Sequence, residues 1–202
     1  APNISSSVRT MAVNGQNVLI GGYFSSVNGT SCTGFSSVDR SSSLLAPFIP
    51  QVFYPHGLRV DSDTLYAWGT AGPSTPGGCV KLSTTTGALY DWSPAANGTI
   101  ATVLPTNGQV LVGGAFNIAG GRLTRGVAVL DILSGEAIPY TAAIDGTVNA
   151  LAIDQGRLII GGGLNMINGS QRNHLGAVDL YSGALDPWAP ALNNAVNDLA
   201  VR

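Results

Sequence analysis

The side chains that could support chemistry are few in this chain. Its 202 residues include two histidines, His56 and His174, one glutamate, ten aspartates and eight arginines. The sequence has no G-x-S-x-G nucleophile elbow, no H-E-x-x-H zinc motif and no phosphate-binding loop. Glycosidase chemistry would need two carboxylates that face one pocket. We therefore predict no enzymatic activity, no catalytic residues, no cofactor and no metal, and rank an enzyme with an unrecognised site third among the candidate functions.

Three aspartates recur in a regular position and form the most ordered set of ionisable groups. Asp39, Asp131 and Asp179 each follow the second glycine of a Gly-Gly pair, or doublet, at one constant interval. A shorter copy of the pattern has Ser83 at the corresponding place. Such recurrence is typical of residues that cap turns at strand ends. We assign these carboxylates a structural role rather than a catalytic one.

An apolar run that ends in the glycine doublet repeats along the whole chain. The second glycines recur at nearly equal intervals, at Gly22, Gly69, Gly114 and Gly162, and in the second copy Trp68 replaces the first glycine. An aromatic residue follows the aspartate or serine position, again at a constant interval, at Phe48, Trp92, Tyr140 and Trp188. We expect these aromatics to pack in the core, and the alternative is that they stack on sugars. A period of roughly 40 to 50 residues is typical of propellers and solenoids.

Each copy carries the signals of four antiparallel strands. Tight turns such as Asn14-Gly15 and Asn107-Gly108 predict hairpins, and no segment has a helical period. The predicted fold is an all-β propeller of four four-stranded blades plus one extra strand, in a single segment over 1–202. The predicted blades span about 7–52, 53–98, 99–146 and 147–194, and 195–202 is the first strand of a further blade. We expect the chain to be part of a larger propeller of about six to eight blades.

Composition restricts the partners. The net charge is −2, and Lys81 is the only lysine, so the basic surface that nucleic acid and anionic membranes require is missing. No apolar run approaches the roughly 20 residues that span a bilayer. The chain is 45% hydrophobic and 10% charged, which favours a substantial core.

Four N-x-Ser/Thr sequons favour an extracellular or cell-surface location. They lie at Asn3, Asn28, Asn97 and Asn168. The last three are also Asn-Gly dipeptides, which hairpin turns select for their positive φ angles. Possible N-glycosylation and a purely structural role therefore both stand as interpretations.

The chain contains two cysteines, about one repeat apart. In an oxidising compartment Cys32 and Cys79 could form a disulfide between the first two copies, and the alternative is two free buried thiols. No C-x-x-C motif accompanies them, and the two histidines lie in different copies, so the sequence does not suggest a metal site.

The loops between second and third strands in the last two copies contain Arg122, Arg125, Arg172 and His174. These residues form either a partner-binding loop set or a solvated rim.

The repeat resembles a known pattern. An apolar triplet with Gly161-Gly162, then Asn168-Gly169, Ala177-Val178-Asp179, Ser182-Gly183 and Trp188-Ala189-Pro190 is similar to the kelch-like and delta-sixty-type repeat propellers of secreted and cell-surface proteins, and to fungal cortical-marker propellers. The resemblance covers essentially the whole chain. It implies surface display and association without defined chemistry. We predict a non-enzymatic structural or interaction module that binds another protein or the remaining blades, and a glycan-binding propeller is the alternative.

Overall fold

The computed structural model describes residues 2–46, 54–69 and 78–201, which contain β-strands and no α-helix. The chain divides into two compact units, Ala1–Ser93 and Pro94–Arg202. Each unit holds two larger antiparallel sheets, which we name blades 1 to 4 in chain order, and one two-stranded sheet. The division falls inside the range predicted for the second blade, so that Asn97 belongs to the second unit.

Unit 1 contains blades 1 and 2. Blade 1 is the sheet β1-β2-β5, and blade 2 is the sheet β6-β7-β8. Val38 and Leu82 form single bridges to Leu45 and Leu89, which stand where the repeat predicts fourth strands. The strands of this unit are β1 (Ser7–Asn14), β2 (Asn17–Tyr23), β3 (Ser26–Val27), β4 (Thr30–Ser31), β5 (Phe35–Asp39), β6 (Pro55–Asp61), β7 (Thr64–Gly69) and β8 (Cys79–Ser83).

Unit 2 contains blades 3 and 4. Blade 3 is the four-stranded sheet β9-β10-β13-β14, and blade 4 joins β15, β16 and β18, with a single bridge from Val178 to Leu185. The strands of this unit are β9 (Thr99–Thr106), β10 (Gln109–Ala115), β11 (Ile118–Ala119), β12 (Arg122–Leu123), β13 (Val127–Asp131), β14 (Ala137–Ile138), β15 (Ile144–Asp154), β16 (Arg157–Ile167), β17 (Ser170–Gln171) and β18 (Leu175–Asp179).

Neighbouring blades in each unit share a buried apolar layer. In unit 1, Leu19 and Phe35 of blade 1 cluster with Leu58, Leu65 and Leu82 of blade 2. A larger cluster in unit 2 follows the same plan: Leu104, Leu111, Val127 and Val129 of blade 3 cluster with Leu151, Leu158, Ile160 and Val178 of blade 4. The apolar runs before the glycines therefore supply the layer between two sheets, and its burial is the main source of stability.

The glycine doublet serves two different close approaches. A Cβ on Gly69 would lie 2.6 Å from the carbonyl oxygen of Tyr54, the residue before the facing first strand, and the other second glycines meet a first-strand carbonyl oxygen even more closely. The ladder has a register shift at this point in every blade. The first glycine instead faces the following blade, since a Cβ on Gly113 would lie 2.6 Å from Val148 Cγ1. The missing side chains therefore allow another part of the chain to approach closely at both positions.

Blade 2 accommodates Trp68, which replaces the first glycine, through a compensating glycine. Gly57 pairs with Trp68 across β6 and β7. A Cβ on Gly57 would collide with the Trp68 indole ring. The other blades have Thr10, Thr102 or Ala150 at the place of Gly57. The exchange of a glycine and a bulky residue across one strand pair therefore preserves the sheet.

Residues 195–201 pack as the repeat predicts but form no strand. Val196 donates its backbone N–H to the Gly162 carbonyl oxygen at 3.3 Å, and Asn149 Nδ2 donates to the Val196 carbonyl oxygen at 3.0 Å. A Cβ on Gly161 would lie 2.7 Å from Val196 Cγ1, much as Gly113 meets Val148. Residues 195–201 therefore pack against blade 4 at the position that the repeat predicts, but these two hydrogen bonds do not form a β-ladder.

The recurring aromatics differ in burial. Trp92 is buried, with its ring 5.8 Å from that of Tyr66 in an edge-to-face arrangement. Tyr140 packs against the unit 2 core. Trp188 was expected in the core, but this is wrong: it is 40% exposed and lies beside the Arg157 guanidinium, 6.0 Å from its ring centroid. Phe48 lies outside the described residues.

The structure contains two free thiols in place of the predicted disulfide. Cys79 is fully buried in β8, where burial raises the pKa of its thiol. Cys32 is half-buried in the loop before β5 and packs beside the blade 1 cluster that contains Phe24, Val27 and Val38. The two residues occupy different positions of the repeat, one on a strand and one in a loop, and the interpretation as free cysteines describes this structure.

Candidate binding cleft

A cleft of about 930 Å³ lies at the junction of blades 3 and 4 in unit 2. Phe116 and Ile144 are buried, whereas Leu123 is 75% exposed and Met166 is 40% exposed. The lining residues are Asn97, Ala115, Phe116, Asn117, Leu123, Arg125, Gly126, Ala143, Ile144, Asp145, Gly146, Met166 and Gly169. The cleft therefore combines apolar contact area with a few polar groups, as ligand sites commonly do.

Short hydrogen bonds fix the loop that borders the cleft. The side-chain oxygen of Asn97 accepts hydrogen bonds from the backbone N–H groups of Asn117 and Ile118, both at 2.9 Å. Gly126 has a φ of 74° and donates to the Phe116 carbonyl oxygen at 3.1 Å. The Arg125 carbonyl oxygen accepts from Ile144 N–H at 3.0 Å, which ties the loop to blade 4. The cleft is thus built on backbone that is already organised.

The cleft carries one charge of each sign. Arg125 and Asp145 are both exposed, and within the described part of the chain the single ion pair joins Arg157 to Asp154 instead. The guanidinium can donate to carbonyl or carboxylate oxygens, and the carboxylate can accept from N–H groups. Such a set suits a polypeptide segment, whose backbone offers both donors and acceptors.

The recurring aspartates cap turns, as predicted. Asp179 Oδ1 accepts from the backbone N–H groups of Tyr181 and Ser182 at 3.1 and 2.8 Å and from the Ser182 hydroxyl at 2.7 Å. Asp39 and Asp131 accept from the backbone in the same way. The Ser41 hydroxyl lowers the pKa of Asp39 well below its usual range, and the Ser182 hydroxyl lowers that of Asp179. Asp179 is exposed, Asp39 and Asp131 are half-buried, and none of the three lines the cleft.

The predicted basic loop residues do not form one group. Of the four, Arg125 alone lines the cleft. Arg122 Nε donates to the Ala137 carbonyl oxygen at 2.9 Å, and Arg172 Nη2 donates to that of Asp186 at 3.0 Å, so each arginine fastens its loop to the outer part of its own blade. His174 has a φ of 68° at a position where blades 1 and 3 have Gly34 and Gly126, and its Nδ1 is buried with no partner among the described residues. A role in partner binding remains a prediction for this set.

Two of the sequon asparagines occupy hairpin turns. Asn28 and Asn168 have φ angles of 50° and 51°, and their Nδ2 groups donate to the carbonyl oxygens of Ser43 and Gly183 at 2.8 and 2.9 Å. Asn97 is not in a hairpin, since it lies in the loop before β9. Asn3 and Asn97 are exposed, and their Nδ2 groups form no hydrogen bond with any residue that the structure describes.

Sequence reasoning missed an aromatic cluster in unit 1. The Tyr23 and Tyr54 rings lie 5.4 Å apart, the Arg9 guanidinium stands 4.8 Å from the Tyr23 centroid, and a 3.0 Å hydrogen bond joins the Tyr23 hydroxyl to His56 Nε2. Because the two tyrosines lie in different copies of the repeat, no local motif predicts the contact.

Across the described ranges no three His, Cys, Asp or Glu residues are grouped to hold a metal, and no helix there is long and apolar enough to cross a membrane.

Comparison of the backbone with solved structures decides the fold. The WD40 domain of Pan2 from Neurospora crassa matches with a TM-score of 0.57 at 13% identity, over 96% of this chain and 56% of that one. The fold is a β-propeller. The computationally designed Ika8 protein matches this propeller chain with a TM-score of 0.56 at 13% identity, over 98% of it and 66% of Ika8.

A third propeller match is to a bacterial protein. The extracellular domain of BT4673 from B. thetaiotaomicron gives a TM-score of 0.58 at 16% identity, over 96% of this chain and 24% of that one. The chain thus spans less than two thirds of each of these three structures. Compared by sequence, it matches no family model and no curated protein. These likenesses establish the propeller fold alone.

Proposed function

We propose that this propeller is a non-enzymatic interaction module that binds a polypeptide segment of a partner protein in the unit 2 cleft. The observation that carries the proposal is the cleft itself, in which exposed Leu123 of β12 and Met166 of β16 lie beside a loop whose backbone is fixed by hydrogen bonds. An apolar partner side chain buried against them would supply affinity, and Arg125 and Asp145 would orient the backbone.

Exposed leucines offer a matched test of this cleft. Leu123 of β12 and Leu133 of the turn after β13 both lie in unit 2 and are 75% and 78% exposed, but only Leu123 lines the cleft. A library of random twelve-residue peptides is selected on the native protein, and the selected peptides are titrated against Leu123→Asp and Leu133→Asp. We expect Leu123→Asp to weaken binding at least about tenfold and Leu133→Asp to leave it unchanged. Equal affinity for both variants would refute the cleft as the binding site.

An extracellular or cell-surface setting and a kelch-like repeat type belong to the same proposal. The sequons, the scarcity of lysine and the recurrence of Gly-Gly, Asp, Gly and Trp positions support them. Secretion is compatible with the exposure of Asn3 and Asn97. An extracellular interaction module is consistent with a surface that carries little charge.

The remaining blades of a larger propeller are the second partner that we propose. Met11 and Val13 of blade 1 are 68% and 59% exposed. In blade 2 the residues at the corresponding places, Leu58 and Val60, pack against blade 1 in the unit 1 cluster. By this equivalence the outer face of blade 1 fits a preceding blade of the same repeat type, which would cover its apolar side chains.

A further inference from the structure

The aromatic cluster of unit 1 is an open group of hydrogen-bond donors and ring faces. Tyr23 and Tyr54 are 42% and 39% exposed, and their planes are inclined by 42°. Arg9 covers one face of Tyr23, and His56 meets the edge of the same ring with centroids 6.0 Å apart. Tyrosine and arginine side chains arranged in this way present apolar faces together with polar tips.

The blade fold does not require these side chains. Arg9 and His56 stand at one position of the first strand, counted back from the second glycine, where blades 3 and 4 have Ala101 and Asn149. Tyr23 follows the second glycine directly, where blades 3 and 4 have Ala115 and Gly163. Small or polar residues therefore occupy the corresponding positions in unit 2 without loss of the blade fold. The aromatic and charged side chains of the cluster are particular to unit 1.

The cluster carries a positive charge on Arg9. No carboxylate forms an ion pair with Arg9 in the described ranges, where Arg157 and Asp154 make the single pair. The pKa of His56 is lowered from its usual value by partial burial and then by the Arg9 charge. The group thus presents an unneutralised guanidinium beside neutral polar groups. An arginine of this kind can bind a carboxylate through two parallel hydrogen bonds.

We propose that Arg9, Tyr23, Tyr54 and His56 form a binding site for an acidic sugar residue. The pyranose ring stacks on the exposed face of Tyr54, and its carboxylate accepts hydrogen bonds from the Arg9 guanidinium. The Tyr23 and His56 groups lie within reach of the sugar hydroxyls. The ring faces select a sugar over a simple anion, and the guanidinium selects an acidic sugar over a neutral one. The site is separate from the unit 2 cleft, so either proposal can fail alone.

Calorimetric titration of the native protein with three probes tests the site. The probes are trigalacturonate, neutral galactotriose and a tri-aspartate peptide that carries the same number of side-chain carboxylates as the sugar acid. We expect trigalacturonate to bind at least about tenfold more tightly than either of the others. Equal binding of galactotriose, equal binding of the peptide, or no binding of trigalacturonate would each overturn the proposal.

Variants separate the guanidinium from the ring. Arg9→Gln and Tyr54→Ser should each weaken trigalacturonate binding at least about tenfold, and Arg9→Lys should retain part of it. The matched controls are Arg59→Gln, an exposed arginine of β6, and Tyr90→Ser, which removes a tyrosine that lies 5.3 Å from Lys81 without belonging to the cluster. Unchanged thermal unfolding shows that each variant is folded. Weakening by a control variant to the same extent would contradict the assignment.

Discussion

The aspartates that end the third strands show how a single residue organises each blade. One carboxylate oxygen of Asp39, Asp131 or Asp179 accepts two backbone N–H groups of the following turn. In blade 2 the hydroxyl oxygen of Ser83 accepts from Thr85 and Thr86 instead, at 3.3 Å in both cases. The regular spacing in the sequence was sufficient to predict this role, because a turn is a local structure.

Acid should weaken these turns. Folding lowers the pKa of Asp39 and Asp179 from 3.8, so the stability that they contribute is complete above that value and is lost as the pH falls below it. We expect the double variant Asp39→Asn/Asp179→Asn to lose less stability than the native protein between pH 7 and pH 3. Urea unfolding at both pH values measures this. Asp145→Asn serves as the control, since its carboxylate makes no hydrogen bond within the described residues, and an unchanged pH response in the double variant would contradict the account.

Two tyrosines, the buried Tyr66 and the half-buried Tyr140, differ in whether the hydroxyl has a hydrogen-bond partner. Tyr66 is fully buried, its hydroxyl meets no partner in the described part of the chain, and burial raises its pKa to about 12. The Tyr140 hydroxyl donates to the Asp179 carbonyl oxygen at 3.1 Å. We expect Tyr66→Phe to keep or raise the free energy of unfolding by up to about 1 kcal/mol, and Tyr140→Phe to lower it by about 1 kcal/mol. Denaturant unfolding checks both, and the reverse order would be inconsistent with these environments.

At the scale of the element, the glycine doublet links strand pairing to blade packing. The second glycine lies against a carbonyl oxygen at a bulge, and the first glycine admits a side chain of the next blade. Position in the doublet, rather than glycine content, therefore determines whether a substitution is tolerated.

Two adjacent glycines of β16 provide the test. A Cβ on Gly162 would collide with the Thr147 carbonyl oxygen, whereas a Cβ on Gly163 would meet no atom within 4 Å. We expect Gly162→Ala to lower the free energy of unfolding by about 3 kcal/mol, and Gly163→Ala to change it by less than about 0.5 kcal/mol. Thermal or denaturant unfolding of the pair measures the difference. Similar effects of both substitutions would refute the role given to the bulge.

Sequence patterns predicted the elements better than the sites. The doublets, hairpin turns and strand order of each blade depend on residues close in the chain, and the periodicity reports them directly. The burial of Trp188 was predicted wrongly because it depends on what packs against blade 4, and a position in the repeat does not specify that. The Tyr23–Tyr54 contact and the cleft beside Leu123 arise where two blades meet, so their residues come from distant parts of the repeat.

At the scale of the whole molecule, a measurement of intact mass tests both the extracellular location and the length of the polypeptide. We expect the native protein, isolated from a glycosylating host, to carry glycans at Asn3 or Asn97, which are exposed, and to have a polypeptide longer than 202 residues. Asn168 should be unmodified, since the residue is half-buried and its Nδ2 donates to the Gly183 carbonyl oxygen. Mass before and after glycan removal, with mapping of the glycopeptides, checks each point. An unglycosylated 202-residue chain would contradict both the secretion and the larger-propeller proposals.

Hydrogen–deuterium exchange on the native protein, with and without a selected peptide, tests the interaction proposal most directly. The account predicts slower exchange on binding in residues 122–126 and 144–146, which border the cleft, and no change in the turn at 132–135, which contains Leu133. It also predicts that Leu123→Asp abolishes the protection. Protection confined to the 132–135 turn, or protection of the cleft that persists in Leu123→Asp, would show that the partner binds elsewhere on the propeller.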